Sequence, residues 1–130
     1  MERWLGRVSE LLYSVMRIIF GLLFVCHGAQ KLFGLLGGKA ELSNPVMLFG
    51  GVIEFFGGAL IALGLWTGYA AFLSSGEMAV AYFTVHAPRG FFPIVNKGEL
   101  AVLYCFIFLY IASRGSGKLS LERIIWGKGR

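Results

Sequence analysis

Four long apolar segments, separated by short polar or glycine-containing stretches, dominate the pattern of hydrophobic and polar positions along this chain. They cover about residues 11–33, 46–66, 69–86 and 98–113. An α-helix needs about 20 apolar residues to cross the hydrocarbon core of a bilayer, and the fourth segment is short by that measure. Only Thr67 and Gly68 separate the second segment from the third, which requires an antiparallel helical hairpin. The pattern predicts an all-α fold, an antiparallel four-helix transmembrane bundle forming a single domain over residues 1–130.

The two ends of the chain carry an amphipathic pattern instead. Charged residues alternate with apolar residues at helical spacing over about the first fifteen positions. In the tail, Leu121, Ile124 and Ile125 share one helical face, and Ser120 stands before them as an N-cap. Helices of this kind lie in the membrane–water interface. We therefore expect interfacial N- and C-terminal segments.

The composition is that of a membrane protein. Hydrophobic residues make up 57% of the chain and charged residues 15%, and the mean hydropathy is +0.73. A soluble domain carries about 25% charged residues. The chain has 12 basic and 7 acidic residues, but most of them flank the apolar segments, which is typical of topology determinants and not of a nucleic-acid site.

The distribution of basic residues predicts the orientation. We expect the protein in the plasma (inner) membrane with both termini in the cytoplasm, because the positive-inside rule places the side with more lysine and arginine residues in the cytoplasm. The basic residues on that side would be Arg3, Arg7, Arg114, Lys118, Arg123, Lys128 and Arg130, against Lys31, Lys39, Arg89 and Lys97 outside.

Glu54 lies in the middle of the second apolar segment. A carboxylate at that depth is tolerated only where it faces protein or water. Gly50, Gly57 and Gly58 share its helical face at spacings of three and four, which lets a neighbouring helix approach closely. The sequence predicts that Glu54 points inward and that Gly57 and Gly58 are helix contacts.

Counting residues from the helix ends predicts two polar layers. Arg17 and Glu77 would lie at one depth and His27 and Glu54 at another, nearer the outer face. Both layers are compatible with ion pairs that only fix the register between helices. For Arg17 and Glu77 we weigh this structural interpretation equally with a ligand-binding site. An imidazole beside a carboxylate can exchange protons with a ligand, which favours a site at His27 and Glu54. The candidate ligand-binding residues are Arg17, His27, Lys31, Glu54, Glu77, His86 and Glu99.

Some of these residues have simpler interpretations. A lysine in the position of Lys31 more often extends its ammonium to the interface than binds a ligand. A histidine in the position of His86 more often forms a hydrogen bond with the backbone at a helix end than binds a ligand. His27 and His86 could ligate a haem, but neither lies in a ligand-spaced motif, so a quinone is preferred as cofactor and no metal is expected. Cys26 and Cys105 are expected to be small buried side chains, and a disulfide between them stays open.

Several short motifs together resemble the DoxX family over almost the whole chain. They are Arg17 with Phe20-Gly21, Gly28-x-x-Lys31-Leu32, Gly51-Val-Ile-Glu54-Phe-Phe-Gly57-Gly58, Glu77-Met78, and Gly115-x-Gly117-Lys-Leu-Ser120-Leu-Glu122-Arg123, where aspartate is expected in place of Glu122. The resemblance implies a four-helix integral membrane protein, linked to a terminal quinol oxidase and thiosulfate:quinone oxidoreductase. It also implies that Arg17, Lys31, Glu54 and Glu77 are polar core residues.

Three functions are compatible with these observations. The first is a DoxX-like subunit of a redox or quinone-linked system, at most a subunit of an oxidoreductase complex, that binds a quinone-like lipophilic molecule in an outward-opening polar cavity. The second is a non-enzymatic scaffold that anchors a soluble redox enzyme. The third is a small-solute or proton pathway, for which the inner half offers only Arg17, Ser74, Ser75 and Glu77. The expected partners are the lipid bilayer and a soluble or membrane redox protein, and a homo-oligomer is compatible with the sequence.

Overall fold

The regular structure of this protein is helical, as predicted. The computed structural model describes residues 1–40 and 42–127. Its α-helices, in chain order, are α1 Glu2–Leu5, α2 Ser9–Phe33, α3 Pro45–Val52, α4 Gly58–Leu63, α5 Thr67–Ala81, α6 Pro93–Asn96, α7 Glu99–Arg114 and α8 Leu121–Trp126. A π-helical turn, Ile53–Gly57, joins α3 to α4, and a second one, Tyr82–His86, extends α5. Each of the four apolar segments thus coincides with one continuous helical stretch.

Two of these stretches are long and apolar enough to cross a membrane. Within the described residues they are Glu2–Phe33 and Pro45–Leu63. Helices α5 and α7 contain 15 and 16 residues, which is fewer than the roughly 20 needed for a full span. The all-α prediction is confirmed, and passage of α5 and α7 through the bilayer stays a prediction.

Local sequence signals explain where the helices begin and end. Asn44 caps α3, since its side-chain oxygen accepts a hydrogen bond from Val46 N at 3.0 Å, and Pro45 follows at the first helical position. Gly34 ends α2 in the left-handed conformation, with φ of +68°. Gly64 ends α4 in the same way, with φ of +72°, and only three residues later α5 begins. These signals produce the predicted hairpin between the second and third apolar segments.

Helix α2 packs against the α3–α4 stretch through glycines. A methyl carbon placed on Gly58 would lie 2.7 Å from both Gly21 O and Val25 N, and one on Gly21 would lie 2.6 Å from Ala62 N. These distances leave no room for any side chain, so the two backbones are in contact. A carbon on Gly57 would instead meet Ser74 Oγ of α5 at 2.8 Å. The prediction that Gly57 and Gly58 are helix-contact positions is confirmed.

The C-terminal segment is only partly as predicted. Ser120 caps α8, accepting a hydrogen bond from Arg123 N at 3.2 Å, and Ile124 and Ile125 are exposed. However, Glu122 turns inward and is 5% exposed, so the segment does not simply lie on the surface. The predictions that involve Lys128 and Arg130 fall outside the described residues.

Candidate functional site

Three charged side chains come together beside Gly50, which has no side chain of its own. Lys31 from α2 forms an ion pair with Glu54 of the π-helical turn, and Glu77 approaches from α5. A methyl carbon placed on Gly50 would lie 3.6 Å from Glu54 Oε2, 3.6 Å from Glu77 Oε2 and 3.7 Å from Lys31 Nζ. We call Lys31, Glu54 and Glu77 the acid–lysine cluster. Glu54 is 1% exposed, which confirms that it points inward.

The backbone around Glu54 explains why this cluster can form. Glu54 belongs to the π-helical turn Ile53–Gly57, and such turns occur frequently at functional sites. Gly50, one turn earlier, has no side chain that would separate the charged groups. Lys31 lies in the last turn of α2, from which its long side chain reaches Glu54.

The cluster holds two carboxyl groups for one ammonium. If all three groups were ionised, it would carry one net negative charge in an apolar surrounding, which is costly. A proton on the carboxyl pair removes that charge. Glu77 Oε1 is buried and has no hydrogen-bond partner in the described part of the chain, whereas Glu77 interacts electrostatically with both Glu54 and Lys31. The cluster can therefore hold or release a proton, and it has an unused hydrogen-bonding atom.

The predicted pairing of His27 with Glu54 is wrong. The partner of Glu54 is Lys31, one helical turn beyond His27 on α2, because the longer lysine side chain brings a full charge to the carboxylate. The His27 ring instead packs edge-on against Tyr104, with 5.7 Å between ring centroids. Lys31 turns inward and does not extend to the interface, which agrees with the polar core position that the family resemblance implies.

The predicted pairing of Arg17 with Glu77 is also wrong. Arg17 is 1% exposed and donates from Nε to Ile61 O at 2.9 Å and from Nη2 to Leu119 O at 2.7 Å. It also donates to Ala62 O at 3.3 Å and to Ser116 O. Because carbonyls at a helix C-terminus carry partial negative charge, the end of α4 attracts this guanidinium. Arg17 thus joins α2 to α4 and to the segment before α8.

Glu122 completes this second polar group. Its carboxylate accepts hydrogen bonds from Thr67 N at 2.8 Å and from Ser116 Oγ at 3.2 Å, so it caps the N-terminus of α5. Its charge also interacts with Arg17. From the sequence, Glu122 stands out only as a departure from a family motif. Glu122 is the second residue of α8, and an acidic residue in the first turn of a short helix gives no signal that it caps a different helix.

His86 and Glu99 lie apart from the acid–lysine cluster. His86 Nδ1 is 3.2 Å from Asn96 O, and fully buried Asn96 ties the surrounding loop together through Tyr82 and Gly90. This arrangement agrees with a histidine that satisfies a helix end. Glu99 is exposed in the first turn of α7. A ligand-binding role for either residue stays a prediction.

Tyr104 is a buried residue beside His27 that the sequence does not predict as part of a site. This residue is 4% exposed and packs against Phe24 and Phe108, with ring centroids 5.2 and 5.5 Å apart. Its ring also contacts that of His27, and it interacts electrostatically with Glu54. An aromatic residue within an apolar run gives no signal of such a position.

The cysteines are separate free thiols in the structure. Cys105 is half-buried and contacts Ser75 Oγ at 3.5 Å, whereas Cys26 is exposed on α2. The expectation that both are buried is therefore wrong for Cys26, because its position on α2 faces away from the packed glycine surface. Within the described residues, no group of three or more His, Cys, Asp or Glu side chains could hold a metal ion.

Two clefts open elsewhere on the protein. The larger, of about 850 Å³, is lined by aromatic rings at the end of the molecule that holds Arg114 and Glu122. The rings are those of Trp66, Tyr69, Phe72 and Trp126. The smaller, of about 310 Å³, lies beside Arg7 and Lys118. Neither cleft is lined by Lys31, Glu54 or Glu77, so neither corresponds to the predicted outward-opening cavity.

Comparison with known proteins places the chain in a family. The DoxX family model matches residues 12–87. A Haemophilus influenzae protein described as an "uncharacterized protein" is 42% identical over 122 residues, covering 88% of this chain and 91% of that protein. The Bacillus subtilis protein named "Putative oxidoreductase CatD" is 27% identical over 121 residues, covering 89% and 87%. No solved structure matches. With these matches and its apolar helices, the chain is a membrane protein that belongs to the DoxX family.

Proposed function

We propose that this protein is the membrane subunit of a quinone-linked redox system and that its acid–lysine cluster binds an oxygen of the quinone. The observation that carries the proposal is the composition of the cluster, in which the fully buried carboxyl group of Glu54 and the half-buried one of Glu77 share one lysine. Among the residues that the structure describes, only Glu54 forms an ion pair with Lys31, and Glu77 Oε1 has no hydrogen-bond partner. A ligand with a hydrogen-bonding oxygen would satisfy that atom.

The cluster suits the chemistry of a quinone. Reduction of a quinone to a quinol takes up two electrons and two protons. The Lys31 ammonium would donate a hydrogen bond to a quinone carbonyl oxygen, and a protonated Glu54–Glu77 pair would supply one of the two protons to that oxygen. The second proton would reach the opposite oxygen from water. The electrons would come from a partner redox protein, in the membrane or soluble, so this chain alone would complete no redox cycle. The name of the Bacillus subtilis relative, "Putative oxidoreductase CatD", agrees with such a role.

We propose further that all four helical stretches cross the plasma membrane, with both termini cytoplasmic. The start of α2 and the end of α7 lie at the same end of the molecule, since Glu10 and Arg114 form an ion pair and Tyr13 OH donates to Gly115 O. The rings of Trp66 and Trp126 lie 6.4 Å apart at that end as well, and tryptophans are enriched at membrane interfaces. An even number of spans would place both termini on one side.

Reporter fusions test this topology. We expect a reporter that is active only in the cytoplasm to be active at both termini, and a reporter that requires export to be active only when inserted after Gly38 or Arg89. The inserted reporters serve as the positive control for export. Activity of an export-dependent reporter at either terminus would contradict the topology.

Substitutions in the cluster test the binding site. Replacing Glu54 with glutamine keeps a hydrogen-bond acceptor for Lys31 but removes the charge, and we expect quinone affinity to fall about 10- to 100-fold, since a hydrogen bond to a charged group contributes about 1.5–3 kcal/mol. Lys31→Met should have a similar effect. Binding of a short-chain benzoquinone to purified protein, together with the melting temperature, is the measurement.

Two further variants give this experiment its controls. Glu2→Gln makes the same chemical change at a fully exposed carboxylate and should alter neither affinity nor stability. His27→Ala shows whether the imidazole takes part, although it packs on Tyr104 and not on Glu54. Affinity that is unchanged in Glu54→Gln, Lys31→Met and His27→Ala would refute the quinone site and favour a scaffold that anchors a redox enzyme.

A further inference from the structure

The smaller of the two clefts is lined by two positively charged side chains from distant parts of the sequence. Arg7, in the turn before α2, and Lys118, in the segment before α8, both line it and are both exposed. Neither forms an ion pair within the described part of the chain. Glu10 also lines the cleft, but its carboxylate is already paired with Arg114. The cleft, of about 310 Å³, therefore has a net positive charge that suits an anion.

The same cleft contains a buried hydroxyl group that is not used by the fold. Ser14 lines the cleft and is 0% exposed, and its Oγ has no hydrogen-bond partner among the described residues. This atom faces the segment that carries Lys118, since a methyl carbon placed on Gly117 would lie 3.6 Å from it. Buried polar atoms in proteins are nearly always paired. A ligand oxygen at the bottom of the cleft would satisfy this hydroxyl group.

The cleft lies where a membrane surface is expected. Arg7 is near the beginning of the Glu2–Phe33 stretch, which is long and apolar enough to cross a membrane. The hydrogen bond from Tyr13 OH to Gly115 O holds the segment with Lys118 against α2 at this end of the molecule. Basic pockets between transmembrane helices at such surfaces bind the headgroups of anionic lipids.

We propose that this cleft binds the headgroup of an anionic phospholipid. The phosphate would lie between the Arg7 guanidinium and the Lys118 ammonium, and one of its oxygens would accept a hydrogen bond from Ser14 Oγ. The bound lipid would join the start of α2 to the segment before α8. The site is separate from the proposed quinone site, because no residue of the acid–lysine cluster lines the cleft.

The rest of the lining favours a lipid over a soluble phosphate compound. Leu11 and Leu119 line the cleft with side chains that are 52% and 54% exposed. They would contact the glycerol backbone and the first carbons of the acyl chains, which an inorganic phosphate ion lacks, and burial of this apolar surface favours binding. A zwitterionic lipid fits less well, since its ammonium group would be repelled by Arg7 and Lys118.

The test measures lipid binding to the full-length protein in detergent by native mass spectrometry, with phosphatidylglycerol and phosphatidylcholine of the same acyl chains as probes. We expect the wild type to bind phosphatidylglycerol more tightly. Arg7→Gln and Lys118→Gln should each lower that affinity about fivefold, the effect of one basic residue near an anionic surface. Ser14→Ala should lower it about tenfold, the lower end for a hydrogen bond to a charged group, without lowering the melting temperature.

Arg3→Gln is the matched control. It removes an exposed charge near the N-terminus that does not line the cleft, and the affinity for phosphatidylglycerol should stay unchanged. An equal loss in Arg3→Gln and Arg7→Gln would mean that the basic surface attracts anionic lipids without the cleft, and would overturn the inference. Equal affinities of the wild type for the two lipids would overturn it as well.

Two further outcomes would contradict the placement of the lipid. Unchanged affinity in Ser14→Ala would place the headgroup outside the cleft, and displacement of phosphatidylglycerol by inorganic phosphate at constant ionic strength would indicate a site for a soluble anion. If Ser14→Ala does not fold, Arg7→Gln and Lys118→Gln decide the test, since both positions are exposed. None of these measurements uses a quinone, so the proposed function is tested separately.

Discussion

Replacing Arg17 with methionine is expected to destabilise the protein by about 3–5 kcal/mol, the range measured when one member of a buried charged group is removed. Methionine fills much of the arginine volume but donates no hydrogen bonds. The carbonyls of Ile61 and Leu119, which Arg17 binds at 2.9 and 2.7 Å, would remain buried without that donor. Glu122 would lose its nearby cation. Chemical unfolding in detergent, followed by circular dichroism, measures the loss.

Arg3→Met is the control for this experiment. Arg3 is exposed near the N-terminus, and substitutions at such positions change stability by no more than about 0.5 kcal/mol. The two variants remove the same charge and differ only in burial and hydrogen bonding. Equal stability of the Arg17→Met and Arg3→Met proteins would show that the carbonyls find other donors and that Arg17 does not hold the C-terminal segment in place.

The charged groups inside this protein differ in whether their hydrogen-bonding atoms already have partners. Its guanidinium contacts four carbonyl oxygens from α4 and the segment before α8, which leaves little capacity for a ligand. The acid–lysine cluster is different, since Glu77 Oε1 has no partner among the described residues. Both groups lie within apolar surroundings, where pairing is expected with or without a function. The unpaired atom, and not burial alone, is therefore what favours the acid–lysine cluster as a binding site.

The sequence predicted which surfaces are buried better than it predicted which polar groups pair. The periodicity placed Glu54, Gly57 and Gly58 on an inward face because apolar and small residues repeat at helical spacing. Pairing could not be predicted by counting depth along ideal helices. The π-helical turn at Ile53–Gly57 changes the direction of the side chains after it, and the reach of Lys31 is greater than that of His27. The position of Glu122 could not be predicted either, since it depends on the chain folding back onto Thr67.

Gly58→Leu is expected to cost about 3 kcal/mol or more of stability, because overpacking a tightly packed contact costs roughly 1–3 kcal/mol and a contact between two backbones cannot relax by moving a side chain. Even one added carbon would lie 2.7 Å from Gly21 O and from Val25 N. Helices α2 and α4 would have to separate, which would also draw Ile61 and Ala62 away from Arg17. The melting temperature in detergent should fall accordingly.

Gly76→Leu is the matched control for that prediction. Gly76 is also a helical glycine, but a carbon placed on it meets nothing within 4 Å, and it lies on the exposed face of α5. Leucine stabilises a helix by up to about 1 kcal/mol relative to glycine, so this variant should be as stable as the wild type or slightly more stable. Comparison of the two variants isolates the close packing from the general effect of adding a large apolar side chain. A Gly58→Leu protein as stable as Gly76→Leu would mean that Gly58 faces lipid or an open cavity and that the contact between α2 and α4 does not hold the helices together.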